Sequence, residues 1–434
     1  MRPLRRLSLL WLLAVPLGAH AADDPELVAL RERVAQLEEQ NRQILAALAA
    51  RPAATAAASA TPAAAAASAP VTSSAKSRID FYGFLRLDGI YDSSQASAIQ
   101  TPFFIVNRDG SGGGQDSLNW HARLTRFGMN FAAPQLGASE LRVGGKLEVD
   151  FQNGGSESRA IPRMRHAYLT AAWGQNTLLV GQTWDLISPL LPSVNADTLM
   201  WNAGNLGDRR PQIRLTRSGE LGATTFTLAG ALGASGSIDA QNVDGDRLRD
   251  GDDAVLPSLQ ARVGLAGSSS LGKWSAGLSG HYALYELSTP LLGDDSFSGY
   301  SVNLDFQLAL GSRLGLQGEL WTGRNLADFR GGIAQSLNLA TGEEIESRGG
   351  WLELGLKWSD AYSLFAGVTL DDPENGDLPA DARSWNGAAY VGNRYRVTPE
   401  LTVGLDYLHW ETEYTGALDD GNDDRLNLYF IYNL

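Results

Sequence analysis

Six basic residues in this sequence have the chemistry to recognise anions. They are Arg126, Arg142, Lys146, Arg209, Arg210 and Arg214. Arginine presents a planar fork of hydrogen-bond donors that fits carboxylates, so a ladder of such side chains would suit small anionic solutes. If the ladder lined a water-filled space with Asp185 and Asp197 opposite, the charges would create a transverse field that sorts solutes by charge. The alternative is that charges facing such a space carry no particular preference.

The segment from Leu186 to Arg210 is expected to position several of these charges. Its apolar residues include Leu190, Leu191, Leu199 and Met200. A loop that faced outward could not bury them, whereas a loop folded into a lumen could pack them against an inner wall. We therefore predict that the segment forms a constriction. The alternative is an ordinary loop that covers a neighbouring subunit.

Sequence motifs for catalysis and cofactor binding are absent. There is no His-Glu-x-x-His, Gly-x-Ser-x-Gly or phosphate-binding loop, and the absence of cysteine together with only five histidines argues against a transition-metal cluster. Ser279 and His281 form the one neighbouring pair that could suggest a hydrolase, but a position facing a lumen explains them better. We expect no enzyme activity, no cofactor and no metal site.

Two clusters of aspartates occur far along the chain. They are Asp244, Asp246, Asp250, Asp252 and Asp253, and Asp419, Asp420, Asp423 and Asp424. Their spacing does not fit the calcium-binding loop pattern, so we interpret both clusters as solvated extracellular loops. The alternative is weak calcium binding, or bridging to lipopolysaccharide through divalent ions.

The composition excludes one class of partner and suggests how the fold is closed. The formal net charge is −14 and the isoelectric point is about 4.9, whereas a nucleic-acid-binding protein needs a basic surface. The 434 residues include 48 glycines and no cysteine, so disulfides cannot stabilise the fold. A barrel closed by its own hydrogen bonds would remove that need.

Residues 1–21 have the features of a secretory signal. Three arginines precede an apolar run over residues 7–17, and Ala19-His20-Ala21 forms a small-x-small cleavage site. We expect the mature chain to begin near Ala22. An uncleaved anchor helix is disfavoured, because the apolar run is shorter than the roughly 20 residues that a spanning helix needs.

Residues 22–50 carry a heptad pattern that predicts a coiled coil, and residues 51–77 predict a linker. The heptad pattern comprises Leu27, Val34, Asn41 and Leu48, with Leu30, Leu37 and Ile44 three residues after the first three. Arg33, Val34, Leu37 and Glu38 fit a pattern of parallel trimers in which Arg and Glu pair between helices, and Asn41 would fix register. A lone solvated helix is the alternative, but it would be marginal in water.

Residues 51–77 are rich in Ala, Ser, Thr and Pro and should lack a fixed fold.

From residue 78 to residue 434, segments of roughly ten residues alternate apolar and polar side chains between Gly-, Asn- and Asp-rich turns. Tyr300, Val302 and Leu304, for example, alternate with Ser301 and Asn303. A period of two is typical of β-strands. Because no later apolar run is long enough for a spanning helix, the chain could cross a membrane only with strands.

Three features favour a membrane barrel over a soluble sandwich, which alternation alone also fits. Aromatic residues such as Trp173 and Trp358 lie near segment ends, and short turns alternate with long loops near 92–117, 233–255 and 324–348. The last segment carries an apolar stripe to Leu434, as in the terminal signal of outer-membrane barrels, although Phe is usual there. We predict an all-β transmembrane barrel of about sixteen antiparallel strands around an aqueous lumen.

Short motifs in a fixed order along the chain resemble those of the DcaP-like porins. They are Phe81-Tyr82-Gly83-Phe84, Thr125-Arg126-Phe127-Gly128, Arg165-His166-Ala167-Tyr168, Val180-Gly181-Gln182-Thr183-Trp184, Arg209 to Arg214, Gly323-Arg324-Asn325-Leu326 and Phe329 to Ile333. The resemblance implies a homotrimeric outer-membrane porin with a periplasmic coiled coil, in contact with lipid and lipopolysaccharide. It also implies passive diffusion of small hydrophilic anions such as dicarboxylates. Two alternatives stay open: an envelope-bracing barrel with little transport, and an outer-membrane hydrolase.

Overall fold

The structure is a computed structural model that describes residues 77–98, 100–108, 114–133, 140–152, 158–239 and 241–434. The predicted signal segment, coiled coil and linker lie outside the described residues, apart from Ser77. The same holds for the residues expected to form the trimer contact: Arg33, Val34, Leu37, Glu38 and Asn41. Those assignments therefore stay predictions.

The described chain is built almost entirely of β-strands. Their bounds are β1 (Arg78–Asp92), β2 (Ser117–His121), β3 (Arg126–Ala132), β4 (Arg142–Asp150), β5 (Arg163–Trp173), β6 (Asn176–Trp184), β7 (Arg209–Leu221), β8 (Thr224–Gly233), β9 (Ser258–Ser268), β10 (Lys273–Leu291), β11 (Asp294–Leu310), β12 (Leu314–Arg324), β13 (Leu337–Asn338), β14 (Glu343–Glu344), β15 (Glu346–Lys357), β16 (Tyr362–Pro373), β17 (Arg383–Arg396), β18 (Leu401–Tyr414) and β19 (Gly421–Asn433). One helical turn, Asp250–Asp253, and two 3₁₀ turns, Ala327–Phe329 and Gly332–Ala334, complete the regular elements. Within the described ranges, no helix has both the length and the apolar character needed to cross a membrane.

Seventeen strands form one antiparallel sheet that closes on itself, because β1 pairs with β19, with Gly89 opposite Leu428. The first half of β1 pairs with β3 and its second half pairs with β2, so β2 and β3 are two parts of one barrel strand. The barrel therefore has the sixteen strand positions that the alternating pattern predicted. Strands β13 and β14 form a separate hairpin.

Side chains alternate between an apolar outer face and a polar interior. On β11, Leu304 is exposed, whereas Asn303 and Asp305 are buried inside the barrel. Leu304 lies opposite Leu278 on one neighbouring strand and Leu320 on the other, and both are exposed as well. Leucines placed in register across neighbouring strands produce an apolar belt that lipid can cover.

The two ends of the barrel differ in their connections. Residues 174–175, 222–223 and 311–313 form short turns at one end, while the other end carries most of the long connections. Three of these fold into the barrel: loop A (described residues 93–98, 100–108 and 114–116), loop B (185–208) and loop C (325–345). The sequence predicted this inward course only for loop B. Loops A and C were expected to be extracellular, but each buries an apolar residue beside loop B, Ile105 in loop A and Phe329 in loop C.

Candidate functional site

Loop B is attached to one side of the inner wall by a row of carboxylates. The backbone N–H of Leu190 donates to Glu319 Oε1 at 2.7 Å. The N–H of Ser193 donates to Glu353 at 2.6 Å, and that of Asn195 donates to Asp406 at 2.6 Å. The acceptors lie on β12, β15 and β18, so the loop crosses the lumen and follows this side of it. Each of these carboxyl groups accepts a backbone N–H that would otherwise lack a partner, which favours a loop held in one place.

The apolar residues that anchor loop B differ from most of those expected. Met200 is fully buried, as predicted, but Leu191 is exposed and Leu190 and Leu199 are only half-buried. Met200 and five other buried apolar side chains of the loop belong to two clusters. One contains Val194, Ala196, Met200 and Ala203 with Ile105 of loop A, and the other contains Ile187 and Leu206 with Phe329 of loop C. Each neighbouring loop therefore supplies one half of an apolar contact that loop B alone could not complete.

The central turn of loop B has a strained backbone. Leu199, Met200 and Asn202 all have positive φ angles, of 54°, 61° and 58°. Non-glycine residues rarely adopt this region and hold it only where surrounding contacts impose it. Asn202 has such contacts: its N–H donates to Arg330 O, and its side-chain oxygen accepts from Ala334 N, both in loop C.

Arg210 and Asp185 bond to each other instead of opposing each other across the lumen. Arg210 Nε donates to Asp185 Oδ1 at 2.7 Å, and Nη1 donates to Asp328 Oδ2 at 2.8 Å. Both partners are buried with it, and its guanidinium lies 3.8 Å from the centre of the Phe329 ring. Neither side chain of this pair has exposed surface in the described structure. Through these two bonds, Arg210 connects β7 to loops B and C.

Arg209, which directly precedes Arg210, has different surroundings from those of Arg210. It pairs with Asp208 at 3.1 Å, and its guanidinium lies over the rings of Trp184 and Trp201, at 4.6 and 5.6 Å from their centres. Arg330 extends this stack, because its guanidinium lies 4.8 Å from the centre of the Trp201 ring. Arg330 also bonds to Asp208. Alternating cations and aromatic rings attract each other strongly where water is excluded. Arg209 is consequently part of a packed stack with little contact with water.

Asp197 is also neutralised locally. It forms an ion pair with Arg123 and lies 3.5 Å from His121. Burial alone would raise the pKa of Asp197, but the neighbouring His121 ring and Arg123 charge outweigh burial and lower the pKa to about 2. This carboxylate holds loop B to the barrel wall at Arg123, and so it does not oppose the basic residues as a separate charge.

One group of basic residues that face the lumen lies on β3, β4 and β5. Arg126 and Lys146 flank Glu148, at 3.7 and 3.5 Å, and their side chains keep 26% and 25% of their surface exposed. Arg165 pairs with the same carboxylate, and Arg163 pairs with Asp150 on β4 with 20% of its side chain exposed. We call these six residues the cationic wall. Four cations face two carboxylates, so two positive charges are left uncompensated within it.

The remaining predicted basic residues lie beside this wall. Arg214 on β7 is half-buried and donates to Gln212 Oε1 at 3.0 Å and to the carbonyl of Trp184. Arg142 shares the inward face of β4 with Lys146 but is exposed at the short-turn end of the barrel. Neither bonds to the carboxylates of the cationic wall in the described part of the chain.

Arg163 and Arg165 were not among the pore-lining residues predicted from the sequence. A β-bulge brings both inward, because Glu148 lies opposite His166 whereas Val149 lies opposite Met164, which leaves Arg165 as the extra residue. Such bulges bend a strand and redirect a side chain. The available signal was the pair Arg165-His166, two adjacent polar residues that break the period of two.

Ser279 and His281 are not arranged as a nucleophile and its base. Both are buried on the inner face of β10, but His281 Nδ1 contacts Ser301 Oγ at 2.7 Å, and the imidazole stacks on Phe329 at 3.7 Å. Ser279 Oγ has no hydrogen-bond partner among the described residues. A hydrolase would need these two groups bonded to each other.

Comparisons with known proteins agree with this architecture. A family model described as DcaP outer membrane protein matches residues 17–250. The outer membrane channel DcaP of Acinetobacter baumannii is 22% identical, with a TM-score of 0.69 over 83% of this chain and 99% of that chain. An anion-selective porin from Comamonas acidovorans is 12% identical, with a TM-score of 0.53 over 83% of this chain and 100% of that chain. No curated protein matches the sequence.

At these identities the solved structures establish the fold alone, and the family follows from the sequence match. That match covers more than half of the 434 residues, including β1 to β8, loop B and the cationic wall. The resemblance first suggested by short motifs is confirmed, and this chain belongs to the DcaP outer membrane protein family.

Proposed function

We propose that the protein is an outer-membrane porin through which small hydrophilic anions, of the dicarboxylate type, diffuse passively, and that it catalyses no reaction. The observation that carries the proposal is the cationic wall, where four basic side chains face two carboxylates beside the gap left by loop B. A surplus of positive charge in a narrow, low-dielectric passage attracts anions and repels cations.

The attachment of loop B supports a passage along the cationic wall. The loop bonds to β12, β15 and β18. In the strand order, β12 and β15 lie on the far side of the barrel from β3 to β5, and β18 lies three positions from β3. Arg126 and Lys146 keep part of their side chains exposed inside the barrel, so a solute that passes loop B can reach them. Arg209 and Arg210 are buried and would act only by holding the loops.

The spacing of the wall's carboxylates supports a preference for solutes with two anionic groups. Arg126 and Lys146 gather around Glu148, while Arg163 lies one step further along β4, at Asp150. Two separate groups of donors on one wall could each receive a carboxylate. Arginine would favour a planar, two-pronged contact at each of them.

The assembly we infer is a homotrimer in the outer membrane with the N-terminal coiled coil in the periplasm. β1 starts at the end of the barrel that carries the short turns. Short turns are periplasmic in outer-membrane barrels. The apolar belt would contact lipid, and the long loops would meet lipopolysaccharide.

Reversal potentials across a salt gradient test the proposal. Purified protein in planar bilayers should conduct, with chloride more permeable than potassium. Arg126→Ala with Lys146→Ala should reduce that ratio severalfold, because both cations border the passage. Arg348→Ala is a matched control, since Arg348 pairs with Asp372 on the outer surface and lies outside the lumen. An insulating barrel, or a permeability ratio that the double variant leaves unchanged, would refute the proposal.

A second candidate, an envelope-bracing barrel with little transport, is favoured by one observation. Loops A, B and C fill part of the lumen with two apolar clusters. The same bilayer recordings decide between the two candidates, because a bracing barrel would show no conductance at any voltage. An outer-membrane hydrolase ranks last, given the contacts of Ser279 and His281 described above.

A further inference from the structure

A cavity of about 550 Å³ opens into the lumen beside the tip of loop B. Its lining includes Ser193 of the loop and side chains from β9 to β12, β15 and β16, among them Ser275, Gln307, Gln317 and Phe365. This volume falls within the roughly 300–1,000 Å³ that is usual for small-molecule sites. The cavity is separate from the cationic wall, because β15 lies halfway around the barrel from β5.

The cavity exists because neighbouring strands present small residues at the same level. Ala309, Gly315 and Gly355 lie side by side across β11, β12 and β15. A Cβ atom built on Gly315 would meet no atom within 4 Å, whereas one built on Gly318, three residues later, would come within 2.5 Å of a carbonyl oxygen. A side chain at position 318 would therefore clash with the backbone of the neighbouring strand, whereas position 315 has room for a side chain. The space at Gly315 is open to a solute.

The polar lining contains one cation, Lys273, and one carboxylate, Glu353, so its formal charges balance, and it has unused hydrogen-bonding capacity. Gln307 Nε2 donates to Gln317 Oε1 at 2.9 Å, and Gln317 Nε2 donates to Glu353 Oε1 at 2.9 Å. The other oxygen of Glu353 accepts from Ser193 N and from the Tyr390 hydroxyl. Each carboxylate oxygen is thus engaged by the protein. An amide has two donor hydrogens and a carbonyl oxygen, so Gln307 keeps one hydrogen and its oxygen available.

Apart from Lys273 and Glu353, the polar side chains that face the cavity are uncharged and match the hydroxyl groups of a solute. The Gln307 amide and the Ser275 hydroxyl can each donate and accept, as solute hydroxyls also do. Phe365 borders the same space and supplies an apolar surface for carbon-bound hydrogens. A carboxylate solute would meet the carboxylate of Glu353 as well as the ammonium group of Lys273, so the cavity offers it no net positive charge.

We propose that this cavity is a binding subsite for uncharged polyhydroxylated solutes of the size of a sugar. Such solutes would bind opposite the cationic wall, and the pore would carry them in addition to anions. The inference goes beyond the proposed anion passage, and its binding step does not depend on ion selectivity.

Saturation-transfer NMR on the detergent-solubilised full-length protein, with sucrose as the probe, tests this proposal without requiring conduction. The wild type should transfer saturation to sucrose. Gly315→Leu should fill the cavity and raise the apparent Kd at least about tenfold. Gln307→Leu removes the amide at nearly constant volume and should have a similar effect, which covers the case in which the first variant fails to fold.

Thr170→Leu is the matched control, because Thr170 faces the lumen from β5, on the opposite side, and should leave sucrose binding unchanged. Absence of saturation transfer in the wild type would overturn the proposal. Equal transfer in the wild type and both cavity variants, or an equal loss in Thr170→Leu, would overturn it too. Reversal potentials measured on the same preparations report the anion passage separately.

Discussion

Arg210 and Asp185 form a direct ion pair at the point where loop B leaves β6 and returns to β7, with Arg210 Nε 2.7 Å from Asp185 Oδ1. Both side chains are fully enclosed, and the same guanidinium reaches Asp328 of loop C and the carbonyl of Ala234. One residue of the barrel wall therefore holds three connections in place. Removal of a partner from such a group leaves uncompensated buried charge.

Arg210→Ala should lower the free energy of unfolding by about 3–5 kcal/mol, because Asp185 and Asp328 would lose their common partner. Unfolding in urea, followed by tryptophan fluorescence, measures the change. Arg348→Ala, which removes a surface ion pair, should cost at most about 1 kcal/mol. Equal losses in the two variants would show that Arg210 does not hold the loops.

The contribution of Asp197 to stability should depend on pH. Its pKa is lowered from 3.8 to about 2 in the folded protein, so its charged form is favoured by folding. The stabilisation, roughly 2 kcal/mol, should be present above pH 4 and should disappear as the pH falls towards 2. The difference in unfolding free energy between the wild type and Asp197→Asn, measured at pH 7, 5 and 3, checks this. A difference that grows as the pH falls would contradict the prediction.

Glu148→Gln should increase anion selectivity, opposite in sign to the Arg126→Ala and Lys146→Ala changes. Glu148 compensates Arg126, Lys146 and Arg165, so its neutralisation leaves one more positive charge on the cationic wall. We expect the chloride-to-potassium permeability ratio from reversal potentials to rise about twofold. Glu374→Gln changes the same charge beyond the end of β16, outside the lumen, and should leave the ratio unaltered. A fall in the ratio for Glu148→Gln would count against a passage along this wall.

Glu353→Ala should loosen loop B. The substitution leaves Ser193 N and the Tyr390 hydroxyl without their acceptor, and each lost partner costs about 1–3 kcal/mol. Single-channel currents should become noisier, and liposome swelling should admit larger solutes than in the wild type. Asp305→Ala is a suitable comparison, because Asp305 pairs with Arg262 in the lumen wall and does not contact loop B in the described structure. Identical current noise in the two variants would mean that the Glu353 contact does not restrain the loop.

Local patterns predicted the barrel well, because a strand's two faces are set by residues that are two positions apart. The alternation of Leu304 with Asn303 already separates the lipid-facing side from the lumen. Loop B could be located for a related reason: its length and apolar residues have no place on an outer surface. Its actual anchors, such as Ile187 and Leu206, could not be chosen, because Ile105 and Phe329 complete the clusters from loops that are distant in sequence.

By itself the sequence determined the strand content, the barrel class, the family resemblance and the inward course of loop B, since all of these depend on short-range periodicity and motif order. Only the tertiary structure decided which charges face water. Arg209 and Arg210 are adjacent and chemically identical, yet one is stacked between tryptophans and the other is held by Asp328, 118 residues away. A bulge moved Arg165 to the cationic wall by shifting the register of a single strand pair. Such pairings depend on the three-dimensional path of distant segments, and no local pattern specifies that path.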